Sequence, residues 1–103
     1  MIIPEGYKTI GSSILNGATS CKLLDIPSTV TAIDQHIIWG VKDIMNIICR
    51  AIVPPTLKSS LGYNGIPKAI YVPDISVNAY KAADVWKNYS QYIKPLSEYV
   101  EEV

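Results

Sequence analysis

Apolar positions along the chain recur with two nested spacings. Leu24-Asp25-Ile26, Ile47-Ile48-Cys49 and Ile70-Tyr71-Val72 each carry apolar residues two apart, the alternation of a short strand with one buried face. The three triplets lie 23 residues apart. The same offset lays Ile3-Pro4-Glu5-Gly6-Tyr7-Lys8-Thr9-Ile10-Gly11 over Ile26-Pro27-Ser28-Thr29-Val30-Thr31-Ala32-Ile33-Asp34, so that Pro4 meets Pro27, Ile10 meets Ile33 and Gly17 meets Gly40. Self-similarity at a fixed period of this length predicts a solenoid in which each period is one coil.

The register carries through residue 73. It places Leu24 over Ile47 and Ile70, Ile26 over Cys49 and Val72, and Pro27 over Arg50 and Pro73. Stacked this way the triplets form a parallel sheet with two inward columns. Each fully buried aliphatic side chain contributes roughly 1.5 to 3 kcal/mol before chain entropy is subtracted. Ile10 with Ile33, Leu15 with Ile38 and Leu61, and Cys21 with Ile44 are further inward candidates. The rest of each period has room for a helical turn or an additional strand; its Gly, Pro, Asn and Ser residues suit turns, and mostly strands and turns are expected there.

After Pro73 the pattern changes. Asp74 is placed to cap a helix through Ser76 to Ala82, and Asp84 a second through Trp86, Tyr89 and Tyr92. Helical spacing puts Val77 with Tyr80, and Trp86 with Tyr89 and Ile93, on common faces. Such an aromatic segment covers the last rung of a stack. The expected architecture is α/β: about three 23-residue coils over residues 1–73, mostly strands and turns, and a short helical cap over 74–103 of the same single domain. The tail from Glu98 to Val103 is expected to fray.

Composition removes several functions. The 103 residues are 49% hydrophobic, enough to build a core, and nine basic side chains balance nine acidic ones. This balance argues against nucleic-acid binding and a polybasic membrane anchor, and no apolar run is long enough for direct membrane insertion. The first residues lack the pattern of a secretory signal peptide. Cys21 and Cys49, with His36 as the only histidine, are too few for a structural zinc site. The register sets the two cysteines about 16 Å apart along the strand direction, beyond disulfide reach, so they read as buried free thiols. His36 has Asp34 nearby but no nucleophile motif beside it; Glu101 and Glu102 belong to the tail. No catalytic residue, metal or cofactor is expected.

The chain resembles the BspA-like leucine-rich repeats of bacterial surface proteins, of the kind found in Bacteroides and its relatives. The resemblance rests on Ile26-Pro27-Ser28-Thr29-Val30-Thr31-Ala32-Ile33 and on an end module. That module comprises Ala51-Ile52-Val53-Pro54-Pro55-Thr56-Leu57, Ile70-Tyr71-Val72-Pro73, Val77-Asn78-Ala79-Tyr80-Lys81-Ala82-Ala83 and Trp86-Lys87-Asn88-Tyr89. Ile14-Leu15 and Ile37-Ile38 stand where the family pattern has Ala-Phe, and Gly17-Ala18 and Gly40-Val41 where it has Gly-Cys. The resemblance implies a leucine-rich-repeat solenoid, a cell-surface or secreted location, and adhesion to or recognition of a protein partner such as a host or matrix protein.

The strand alternation supplies a candidate surface. With residues 24, 47 and 70 inward, Asp25, Ile48 and Tyr71 face outward, with Leu23, Asn46 and Ala69 beside them and Arg50 at the edge. Tyr and Arg are enriched at the energetic centres of protein interfaces, which makes Asp25, Asn46, Ile48, Arg50 and Tyr71 the partner-binding candidates. A solvated face, or one partly covered by the tail, is the plainer alternative. Trp39, read as lying outside the strands, offers a ring for stacking on a sugar, so a glycan-binding module is one competing reading. A purely structural cap of a longer repeat array is another, and there the N-terminal edge with Ile2 and Ile3 would be prone to self-association.

Overall fold

The computed structural model describes residues 3–11, 23–34, 46–58 and 69–99. Two parallel sheets run through them. The larger has four strands in the order β2 (Leu23–Ile26), β4 (Asn46–Cys49), β6 (Ala69–Val72) and β7 (Ile93–Pro95). The smaller has three two-residue strands, β1 (Thr9–Ile10), β3 (Ala32–Ile33) and β5 (Thr56–Leu57). A single helix, α1 (Val77–Ala82), and short 3-10 turns at Asp74–Ser76, Trp86–Tyr92 and Leu96–Glu98 complete the described elements. The molecule is therefore α/β, and the additional strand of each period is the one that builds the smaller sheet.

The larger sheet keeps the 23-residue register throughout. Leu24 pairs with Ile47, Ile47 with Ile70 and Ile70 with Ile93. Leu24, Ile47 and Ile70 are fully buried, as are Ile26, Cys49 and Val72 in the second inward column. Ile10, Ile33 and Leu57 of the smaller sheet join the same core. Side chains also register outside the strands: Ser28 Oγ donates to Glu5 Oε1 at 3.1 Å, and Gly6 N donates to Thr29 Oγ1 at 3.0 Å, each across 23 residues. Gly6 adopts φ +110°, a conformation L side chains rarely take, and this lets the Pro4–Tyr7 turn lie on the turn below.

The smaller sheet departs from the expected register. Ile10 pairs with Ile33 at 23 residues, but Ile33 pairs with Leu57 at 24. The extra residue lies in Arg50–Pro55. Proline has no N–H, so Pro54 and Pro55 cannot donate to a ladder. Three carbonyls of this segment are met by side chains instead: Ser76 Oγ donates to Ile52 O at 2.6 Å, Tyr80 Oη to Ala51 O at 2.6 Å, and Trp86 Nε1 to Pro55 O at 2.8 Å.

The end of the chain also differs from the expected two helices. Ile93 is not on a helix face with Trp86; it begins β7, one period beyond Ile70, so the register runs past residue 73. Asp74 is not a helix cap. Its carboxylate accepts from Ser97 N at 3.0 Å, again across 23 residues, and hydrogen bonds from the Ser97 side chain and backbone hold it below the usual carboxylate range. Asp84 makes no capping bond either; its carboxylate lies 3.7 Å from Lys87 Nζ. Trp86–Tyr92 is two short turns broken at Tyr89, not a continuous helix. Trp86 and Tyr80 are fully buried against the core, rings 5.2 Å apart in an edge-to-face arrangement. Val85, at φ 69°, turns the chain sharply into Trp86, a strained geometry for a β-branched residue.

Cys49 is a free, buried thiol with its sulfur 3.2 Å from Tyr80 Oη, which agrees with the reading of unpaired cysteines; Cys21 lies outside the described residues. Burial pushes the Cys49 thiol up from 9.0 to about 11 and raises the Tyr80 hydroxyl as well. Both acids bind their protons more tightly folded than unfolded. The resulting stability is fully present below about pH 9 and is lost as pH rises toward 11. Chemical denaturation followed by circular dichroism is expected to show a flat midpoint between pH 7 and about 8.5 and a fall above 9. In the same assay Tyr80→Phe, which strands the Ala51 carbonyl, is expected to cost about 1–3 kcal/mol at neutral pH. Gly6→Ala is expected to lose about 1 kcal/mol, whereas Gly11→Ala, at a position with open space for a Cβ and no positive φ, loses nothing.

Candidate recognition surface

Alternation along β2, β4, β6 and β7 turns Asp25, Ile48, Tyr71 and Lys94 to the face opposite the core columns, and the ladder places them side by side. The sequence-predicted residues therefore do assemble on one surface. Their exposure is not as expected. Ile48 is 2% exposed and Ala69 3%, so neither presents a side chain to a partner. Asn46 and Leu23 are half-buried at the N-terminal ends of their strands.

Asp25 and Arg50 form the electrostatic feature of the face. Arg50 Nε and Nη2 donate to the two carboxylate oxygens of Asp25 at 2.8 and 2.9 Å, a bidentate pair. The Asp25 side chain is 12% exposed and that of Arg50 44%, so the acid is held in the face while the guanidinium remains accessible. Hydrogen bonding to Asp25 raises the Arg50 pKa, with Glu5 adding to the same field. The strand geometry explains the reach: Arg50, the first residue past β4, donates its N–H to Ile26 O at the end of β2 at 3.0 Å, which keeps it next to β2, where its side chain meets Asp25.

The other flank is aromatic. Tyr71 is half-buried because Tyr99 lies across it, ring centroids 5.1 Å apart at 72°. Tyr99 is tied by its N–H to Leu96 O at 3.0 Å. The alternative of a face partly covered by the tail thus describes the Tyr71 side. Lys94 and Tyr99 were missed by sequence reasoning. Extending the 23-residue offset from Ile70 to Ile93 would have put Lys94 in the Asp25 column; nothing in the spacing points to Tyr99.

His36, Trp39, Cys21, Glu101 and Glu102 lie outside the described residues, as does Ile2. Ile3 is buried and donates its N–H to Asp25 O at 3.0 Å, so the N-terminal segment lies against the outer edge of β2. Among the described residues no group of three or more His, Cys, Asp or Glu side chains is placed to hold a metal ion, and no helix is long and apolar enough to cross a membrane.

No family model matches the chain, and no curated protein matches it.

Breaking the Asp25–Arg50 pair leaves a largely buried carboxylate uncompensated. Arg50→Ala is expected to destabilise by about 1–2 kcal/mol, less than a fully buried pair because the guanidinium is partly solvated. A double-mutant cycle with Asp25→Asn should return a coupling of roughly 1 kcal/mol; additivity of the two substitutions would show that the pair contributes nothing to stability.

Proposed function

We propose that the chain is a leucine-rich-repeat solenoid module of the BspA-like type, acting as a non-catalytic scaffold for protein recognition or adhesion at the bacterial cell surface. The 23-residue ladder of β2, β4, β6 and β7 supports the repeat reading, since each period contributes one strand at one register. The observation that carries the recognition reading is the Asp25–Arg50 pair on the same face as Tyr71, the two separated by the buried Ile48. It presents an accessible guanidinium and an aromatic ring, both held in place before any partner arrives. Fixing such side chains in advance reduces the ordering cost of binding. The face is small, and its partner contacts narrow to Arg50, Tyr71, Lys94 and Tyr99, with Asp25 as the group that orients Arg50.

A second reading is a structural cap closing a longer array. The asymmetry of the stack favours it: Trp86 and Tyr80 close one end, and Pro95 and Lys94 lie in the last strand, where both discourage further pairing.

Capture from a host matrix extract by the immobilised chain, compared with the Tyr71→Ala, Arg50→Ala double variant, tests the recognition site. Loss of at least tenfold in retained partner is the expected result, with circular dichroism confirming that the variant is folded. Equal capture by both proteins removes this surface from the proposal.

A further inference from the structure

Arg50 uses only part of its hydrogen-bonding capacity on Asp25. A guanidinium carries its N–H groups in one planar fork. Asp25 accepts from Nε and Nη2, the side-on edge of that fork, at 2.8 and 2.9 Å. The end-on edge, formed by Nη1 and the second N–H of Nη2, is turned away from that carboxylate, and the Arg50 side chain is 44% exposed. Two parallel N–H groups on one edge match a second carboxylate. Glu5 lies in the field of the guanidinium, but its own oxygens accept from Ser28 Oγ.

The far end of the same row is cationic too. Lys94 is exposed on β7 and makes no ion pair among the described residues. Asp25, Ile48, Tyr71 and Lys94 occupy one row across adjacent strands, so the Asp25–Arg50 pair and Lys94 are separated by roughly 14 Å, at about 4.8 Å per strand. Between them lie the buried Ile48 and the half-buried Tyr71, with Tyr99 edge-on against Tyr71 and close enough to Arg50 to act on its charge.

We infer that this face takes an extended acidic segment of a partner protein, with two carboxylates four residues apart and an aromatic or apolar side chain midway between them. The inference rests on the protein-recognition reading and gives that partner a chemistry. An extended chain advances about 3.3 Å per residue, so positions i and i+4 stand roughly 13 Å apart and project, with i+2, to one side. This span matches that from Arg50 to Lys94. One carboxylate meets the open edge of Arg50, the other meets Lys94, and the middle side chain lies on Tyr71 and Tyr99. Arg50 and Lys94 against Asp25 leave one positive charge in excess, which favours singly charged carboxylates over a phosphate dianion.

The test is an amide-resolved NMR titration of the whole chain with the blocked peptide Ser-Glu-Thr-Phe-Thr-Glu-Ser, taken to about 5 mM at low salt to cover a millimolar dissociation constant. Saturable shifts are expected at Arg50, Tyr71, Lys94 and Tyr99, with affinity falling as salt is raised. Lys94→Ala should weaken the peptide roughly two- to fivefold, and moving the two acids to flank the central Phe directly should weaken it about threefold or more. The inference is overturned if the peptide gives no saturable shift at these amides. It is equally overturned if Lys94→Ala has no effect, or if the rearranged peptide, a peptide with Lys in place of both Glu, or inorganic phosphate binds as tightly. The matrix-capture comparison separates the two readings. Capture that depends on Arg50 and Tyr71 without peptide binding overturns the acidic segment alone, whereas equal capture by wild type and double variant with the peptide still bound overturns the matrix partner alone.

Discussion

Register in the larger sheet is the constraint on which the rest of the structure depends. A parallel strand that slips by one residue turns every inward side chain out, so Leu24, Ile47, Ile70 and Ile93 can share a column only if each period returns the chain to the same place. The smaller sheet is under no such requirement at its last step, and there the spacing grows by one residue. That residue is taken up before β5 and given back before β6, so the slip never reaches the main column. Its local cost is a segment, Ala51 to Pro55, whose carbonyls have no strand to bond with. Ser76, Tyr80 and Trp86 supply three donors, and no buried side-chain nitrogen or oxygen among the described residues is left without a partner. The C-terminal aromatics therefore do two things at once: they are buried in the apolar core, and they satisfy the backbone where the period is irregular.

The same register decides what each outer face can offer. On the larger sheet Asp25, Ile48, Tyr71 and Lys94 are neighbours because they occupy one position in four successive periods. Ile48 is apolar in a column that otherwise carries polar tips, and it is hidden in the row between Asp25, itself held by Arg50, and Tyr71. Burying it removes an exposed branched side chain from the middle of the sheet and sets the charged and aromatic groups on either side. On the smaller sheet the equivalent positions are Thr9, Ala32 and Thr56, and without bulk they leave a hollow open.

The inward columns were legible in the sequence because each is a run of apolar residues at one offset. Ile10 over Ile33 and Ile26 over Cys49 needed nothing but counting. The fourth rung was legible too, at Ile93, but Trp86, Tyr89 and Ile93 also have helical spacing, and two short turns imitate that pattern over so few residues. Asp74 and Asp84 stood where helix caps stand; Asp74 instead bonds Ser97 one period away, a contact that local rules cannot see. Ile48 was placed on the correct face and given the wrong exposure, since alternation fixes direction while burial depends on what lies across the strand. The 24-residue step was signalled only by Pro54-Pro55, and a pair of prolines marks an irregularity without giving its length.

Preorganisation of side chains is common to the two outer faces. Arg50 is fixed by two bonds to one carboxylate, and Tyr71 by an edge contact with Tyr99, so the rotamer entropy that a flexible arginine and tyrosine would lose on binding has already been lost in folding. Thr9 and Thr56 reach a similar end through their branched Cβ atoms, which restrict χ1 without any partner. The difference is in reach. A guanidinium and two phenols stand on the larger sheet, whereas Thr9 and Thr56 carry only short, exposed side chains on the smaller one. One register thus sets long side chains on the outer face of the larger sheet and short ones on that of the smaller.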